Sequence, residues 1–139
     1  MLDASVVVKW VLSGEPYETN AVRVRGDQLS GIIQLCAPSL MMHEVATSLW
    51  KAIKQRRITQ KDADEALKSL EGMQIAFPEF NWADVSAELA IAGKLDMTTY
   101  DASYLILSEK MKAKVITADD KLFQKAKGRF GVVHLKDYV

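Results

Sequence analysis

Apolar positions along this chain recur at two spacings. From Pro38 onward, Met41, Val45, Leu49 and Ala52 return at steps of four, four and three, the spacing of one face of an α-helix. Ser39 precedes that stripe as an N-cap residue, and the helix is expected to run to about Arg57. The same reasoning predicts a polar helix over Tyr17 to Leu29, ended by Gly31. Another starts at Thr59, carries Ala63, Ala66, Leu67 and Leu70 on one side and fades at Gly72. Further helices are expected over Trp82 to Lys94, from Thr98 to about Lys112, and over Asp120 to Lys127. The one from Thr98 is apolar on most faces and so buried. Between the helices lie short apolar runs, Ile32 to Ala37, Met73 to Phe77, Lys114 to Thr117 and Val132 to Leu135, which read as buried strands. Pro38 and Pro78 stop the first two. Strands of this kind alternating with helices predict an α/β domain with a parallel sheet covered on both faces.

Length and composition narrow the class. With 139 residues and no linker, repeat or low-complexity segment, one domain over 1–139 is expected. Hydrophobic residues at 49% against 26% charged match a soluble globular protein, which excludes a disordered or fibrous chain. Apolar runs such as Val6 to Val8 and Tyr104 to Leu107 fall far short of the ~20 residues of a membrane span. The start, Met1-Leu2-Asp3 with Lys9 soon after, lacks the form of a secretory signal, and the lone Cys36 suits a reducing interior. The expected location is the cytoplasm. Eighteen basic and eighteen acidic residues cancel, so the chain as a whole has no general attraction for nucleic acid. A nuclease is not excluded, because carboxylates gathered at a metal would leave the remaining surface basic.

Most of the acids, Asp62, Asp64, Glu65 and Glu71 among them, fall on solvated helix faces. Four others lie beside apolar sequence, where an unpaired carboxylate is expensive. Asp3 stands directly before Ala4-Ser5-Val6-Val7-Val8. Glu44 falls beside the Met41 to Ala52 stripe, with a surface pair to Lys51 or Lys54 as its structural alternative. Asp101 sits three residues after Thr98, which also spells a capping box. Asp119 follows the strand Lys114 to Thr117 and could cap the next helix, yet parallel sheets place ligand sites at such strand ends. Asp120 could share its role or merely cap. Acids so distributed can converge in one cleft, where they cannot all ionise without a cation. An all-oxygen set without Cys or His suits Mg²⁺ or Mn²⁺, which bind phosphates and activate water.

Other features are less specific. Lys51, Lys54, Arg56 and Arg57 either complete a helix dipole or touch phosphates. His43 has no partner motif and is expected on the surface or in packing, and Trp10, Trp50 and Trp82 in the core or a dimer contact. There is no phosphate-binding loop of the G-x-x-x-x-G-K-[ST] kind, no paired-cysteine zinc site and no G-x-S-x-G.

The chain resembles the PIN-domain ribonucleases, specifically the VapC-type toxins of toxin–antitoxin pairs. The resemblance runs through DASVVVKWVLSGEP at 3–16, PSLMMHEVATSLWKAIKQRRIT at 38–59, LDMTTYDASYLILSEKMKAKVITADDKL at 95–122 and VVHLKDYV at 132–139. It implies a three-layer α/β/α sandwich around a central parallel sheet. It also implies that Asp3, Glu44, Asp101 and Asp119 are the catalytic, metal-holding quartet. Ser5 and Thr117 match its small hydroxyl positions, and Asp120 is a further supporting candidate. By the same resemblance the protein is a homodimer, cleaves RNA with Mg²⁺ or Mn²⁺, and is inhibited by a small antitoxin. Val6 to Val8, strand formers by propensity, then begin a helix after Asp3, and with only Met1 and Leu2 before it the first strand is short. The alternative is a PIN-like module that binds RNA or protein without cutting. A phosphoacceptor receiver domain would need an aspartate near Cys36 to Leu40, where there is none.

Overall fold

The structure, a computed structural model, describes residues 1–139. Asp3 is extended and passes directly into α1 (Ala4–Val11), so the three valines are helical despite their branched side chains. Val6 and Val7 are fully buried there, and packing of an apolar face, more than intrinsic propensity, stabilises a helix this short. α2 (Glu18–Leu29), α3 (Leu40–Lys54) and α4 (Gln60–Glu71) follow. The buried residues of α3 are Met41, Val45, Leu49 and Ala52, the four that the spacing singles out, although the helix stops three residues short of Arg57. α4 opens with a complete capping box between Thr59 and Asp62, but its apolar side is poorly covered and only Ala63 is buried.

Asn81 and Asp84 form a second complete capping box at α5 (Trp82–Leu95). α6 (Thr99–Lys110) is the most deeply buried helix, with Tyr104, Leu105 and Leu107 at 1%, 0% and 0% exposure. β1 (Val115–Thr117), α7 (Asp120–Ala126) and β2 (Val132–His134) complete the chain with a short 3-10 turn at Leu135–Asp137. No helix is long and apolar enough to cross a membrane.

β1 and β2 pair in parallel, Ile116 opposite Val133. On the other side of β1, Leu2 bridges Ile116 in parallel, with Ile116 N–H donating to Met1 O at 2.9 Å and Asp3 N–H to Ile116 O at 3.1 Å. Leu2 N–H donates to Cys36 O at 2.8 Å, and Cys36 in turn bridges Ala76. The protein is thus a mostly helical α/β structure with a parallel sheet, in which two strands form a ladder and three further segments add a rung each.

The strands expected over Ile32 to Ala37 and Met73 to Phe77 therefore shrink to single bridges. A side chain takes over the pairing at their ends: the Gln28 amide accepts from Leu35 N–H at 2.8 Å and donates to Met73 O at 3.2 Å. Gln74 adopts φ 53°, which turns the second run out of extended geometry. The tryptophans divide between the core and the surface. Trp10 is half-buried and donates to Ala21 O at 2.7 Å, whereas Trp50 and Trp82 are exposed and outside the core.

Candidate active site

Four chain segments bring carboxylates to one place. Asp3, Glu44, Asp101 and Asp119 line a single cleft of about 310 Å³, together with Ser5, Ser48, Lys9 and Glu15. The rungs on either side of Leu2 bring Asp3 beside the end of β1, and α3 and α6 bring the other two helical acids over it.

Asp3 is the best-fixed member. Its Oδ2 accepts from Ser5 Oγ at 2.5 Å and from Thr117 Oγ1 at 2.6 Å. Both hydroxyls are themselves engaged, Ser5 Oγ accepting from Ala118 N–H at 2.9 Å and Thr117 Oγ1 from Asp119 N–H at 2.9 Å. The start of α1 is thereby locked to the end of β1. Asp3 does not cap α1, since its side chain makes no capping hydrogen bond. Burial pushes its carboxyl above the ordinary 3.8; the Ser5 and Thr117 hydrogen bonds oppose that, and the charges of Asp119 and Asp101 add to it.

Glu44 does not pair with Lys51 or Lys54. Its Oε2 accepts from the Tyr104 hydroxyl at 2.5 Å, and the tyrosine is only 1% exposed. Burial raises the Glu44 carboxyl above 4.5, opposed by that hydrogen bond and reinforced by Asp3 and Asp101. The same burial, the charge of Asp3 and the bond to Glu44 drive the phenol far above its ordinary value, so it stays a donor.

Asp101 separates the capping reading from the functional one. Thr98 Oγ1 accepts from Asp101 N–H at 3.0 Å, half of a capping box. The other half is missing, because no side-chain bond runs from Asp101 back to Thr98, although Asp62 and Asp84 make that bond in α4 and α5. The Asp101 carboxylate is left facing the cleft. Asp119 lines the cleft and also caps α7, its Oδ1 accepting from Lys121 and Leu122 N–H at 2.7 and 3.0 Å. Asp120 is not brought to the cleft. Its Oδ1 lies 3.1 Å from Nε2 of the buried His134, a contact not aligned as a hydrogen bond.

A common pattern emerges. Asp3, Glu44 and Asp119 each commit one carboxylate oxygen to the protein and leave the other without a protein donor, and Asp101 leaves both. No three acidic, His or Cys side chains stand close enough to chelate one ion together as they are. The donor chemistry nevertheless fits Mg²⁺ or Mn²⁺. Every free donor is an oxygen, two of the carboxyls carry the mark of mutual repulsion, and such ions retain waters that can span the remaining distance.

Tyr104 and Lys9 belong to this site and are not evident from acid spacing alone. Tyr104 lies three residues after Asp101 and Lys9 four after Ser5, so helical periodicity puts each on the face of a site residue. Lys9 is 8% exposed and is the one cation lining the cleft, with no acidic partner, while Glu15 beside it pairs with Arg57 at 3.2 Å.

A parallel sheet with acids gathered at the end of a strand, clasped by helices before and after it, defines a class rather than an individual, and the comparison with known proteins agrees. Residues 1–128 match the PIN domain, and the chain belongs to that family. Ribonuclease VapC3 of Pyrobaculum aerophilum is 33% identical over 87 residues, 62% of this chain and 66% of that protein, so the chain spans a little under two thirds of this relative. The crystal structure of PAE2754, also from Pyrobaculum aerophilum, superposes with a TM-score of 0.70 at 22% identity, over 97% of this chain and 89% of that one. That likeness is one of fold.

Proposed function

We propose that this protein is a metal-dependent endoribonuclease and the toxin of a VapBC-type toxin–antitoxin pair, with Asp3, Glu44, Asp101 and Asp119 as its catalytic and metal-holding residues. The observation that carries the reading is the set of four carboxylates lining one cleft, three of them pinned by one oxygen with the other free. A cluster held this way is prepared for a cation, since the structural bonds fix three of the four side chains while like-charge repulsion leaves the cluster short of positive charge. A bound Mg²⁺ or Mn²⁺ would supply charge for the phosphate and acidity for a water molecule. The chain's own part is positional. Ser5 and Thr117 hold Asp3, Tyr104 holds Glu44, and the free carboxylate oxygens orient the attacking water and take its proton. Lys9 offers the cleft's single ammonium to a phosphate oxygen. Hydrolysis leaves a 5′-phosphate and a 3′-hydroxyl. Asp120, turned toward His134, has at most a structural part.

The five extended segments form the middle of a three-layer sandwich in one domain over 1–139, and the protein works in the cytoplasm. Trp82, Val85 and Leu89 make an exposed apolar stripe on α5, 87%, 38% and 67% accessible, which supports a homodimer. A groove of about 460 Å³ between α3, α4 and the segment reaching Phe77, lined by Met41, Met42, Leu67 and Leu70, suits an amphipathic segment of the antitoxin. Sedimentation tests both points: the protein alone should move at twice its 15.5 kDa chain mass, and co-expression with a small neighbouring reading frame should make it heavier. A monomer unaffected by the neighbour would refute them.

Cleavage is tested by incubating the protein with total RNA in Mg²⁺ or Mn²⁺ and in chelator. Cutting should require the metal. RNA that is bound but never cut under any divalent ion would favour the non-catalytic module.

A further inference from the structure

The acidic cleft does not end at Glu44. Glu44 and Ser48 also line a second hollow of about 480 Å³, walled by Leu40, His43, Thr47 and Lys51 of α3 and by Tyr100 in the first turn of α6. Its size falls within the roughly 300–1,000 Å³ of small-ligand sites. On α3 these positions follow the three- and four-residue steps of one helix face. Across from them Tyr100 is 65% exposed and adjoins Asp101, so an aromatic ring lines the hollow one residue from an acid of the cleft.

Lys51 differs from two of its basic neighbours. Arg57 is paired with Glu15, and the Lys54 ammonium lies over the Trp50 ring at 4.7 Å from its centre, but Lys51 has no acidic partner and faces the hollow. Thr47 and Ser48 donate their hydroxyls to His43 O at 2.8 Å and Glu44 O at 3.1 Å, which leaves both oxygens able to accept. The hollow therefore offers an aromatic face, an uncommitted cation and hydroxyl acceptors between them. Those are the groups that meet the base, phosphate and 2′-hydroxyl of a single-stranded nucleotide.

We propose that this hollow is a nucleotide subsite, in which the RNA residue next to the cut stacks its base on Tyr100 and places a phosphate on Lys51. The inference rests on the nuclease reading and deepens it. Because Glu44 and Ser48 belong to both cavities, a strand seated in the hollow runs directly into the acidic cleft. Stacking accepts every base, so the subsite sets the position of the strand rather than its sequence.

The test uses full-length protein with a fluorescein-labelled single-stranded RNA of mixed sequence, followed by cleavage kinetics in Mn²⁺ and by anisotropy in an inactive Asp101→Asn background. Tyr100→Ala should raise KM and weaken binding by about tenfold, the loss expected for one base–aromatic stack. Tyr100→Phe should restore both, since the ring and not the hydroxyl is used. Lys51→Ala should weaken binding and lower the slope of log affinity against log salt by about 0.7, the value for one single-strand phosphate contact. If the wild type cuts RNA but Tyr100→Ala and Lys51→Ala keep its KM, affinity and salt slope, the subsite is wrong and the nuclease reading stands. A fall in kcat and melting temperature with KM unchanged would make Tyr100 structural and equally overturn the subsite. If the wild type neither cuts nor binds the RNA, the nuclease reading falls and the subsite with it.

Discussion

Asp101→Asn should lower RNA cleavage by more than about a hundredfold, the upper end of what losing even an outer partner of a metal site costs, while leaving the metal-free protein at least as stable as wild type. The expectation follows from how this residue is bonded. Thr98 caps α6 through the Asp101 backbone N–H, and that bond survives any side-chain change. The carboxylate accepts no hydrogen bond within the protein and adds repulsion to both Asp3 and Glu44. Asparagine keeps its size and removes the charge, so a source of destabilisation disappears along with the function, a trade common at active sites. Asp62→Asn is the control, because Asp62 completes its capping box by accepting from Thr59 N–H at 2.8 Å. That variant should keep full activity and melt slightly below wild type, because a neutral amide oxygen accepts the Thr59 N–H more weakly than a carboxylate does. Cleavage assays and melting curves of the two variants in chelator check both arms. An active Asp101→Asn enzyme would remove Asp101 from the catalytic set.

The metal-free protein should gain stability on mild acidification, and divalent metal should cancel that trend. Asp3 and Glu44 both have folded carboxyl values raised above their ordinary 3.8 and 4.5, first by burial. In the window from those ordinary values up to the raised ones, the folded state holds more protons than the unfolded state. Stability there falls as pH rises. Asp62 and Asp84 act in the opposite sense. The Thr59 backbone bond lowers the first and the Lys110 contact the second, so their contribution is lost as pH falls from 3.8 through the lowered values. The metal-free optimum should therefore lie in mildly acidic solution. On the proposed reading, Mg²⁺ or Mn²⁺ would bind only the ionised cluster of the native state and should stabilise it by about 2.7 kcal/mol at a hundredfold excess over Kd. The gain should be largest at neutral pH, where protons compete least. Melting temperatures from about pH 4 to pH 7, with metal and with chelator, test this. Curves that rise toward neutral pH without metal, or that ignore the metal, would refute a strained acidic cluster.

Local pattern was enough for most of the helices. Met41, Val45, Leu49 and Ala52 were recognisable as a core stripe because a helix face is a matter of spacing, and Thr59 and Asn81 cap where their side chains can reach the next turn. The valines after Asp3 mark where propensity gave way, since only burial of Val6 and Val7 makes that segment helical. The runs at Ile32 and Met73 shrink to single bridges where one side chain, Gln28, pairs with Leu35 N–H seven residues on and with Met73 O forty-five residues on. No local rule foresees that.

The same division runs through the candidate site. Sequence alone could nominate Asp3, Glu44, Asp101 and Asp119, because a carboxylate beside apolar residues is costly wherever the chain goes. It left each with an innocent alternative, and only tertiary structure shows which bonds each side chain makes. Asp101 leaves its capping box half made, Glu44 takes Tyr104 in place of a lysine, and Asp120 turns away to His134. The physical reason is distance along the chain. Helix faces and caps are set by residues three or four apart, whereas the Thr117 to Asp3 bond joins groups 114 residues apart and the Tyr104 to Glu44 bond groups 60 apart, contacts that exist only once the sheet has brought its segments together.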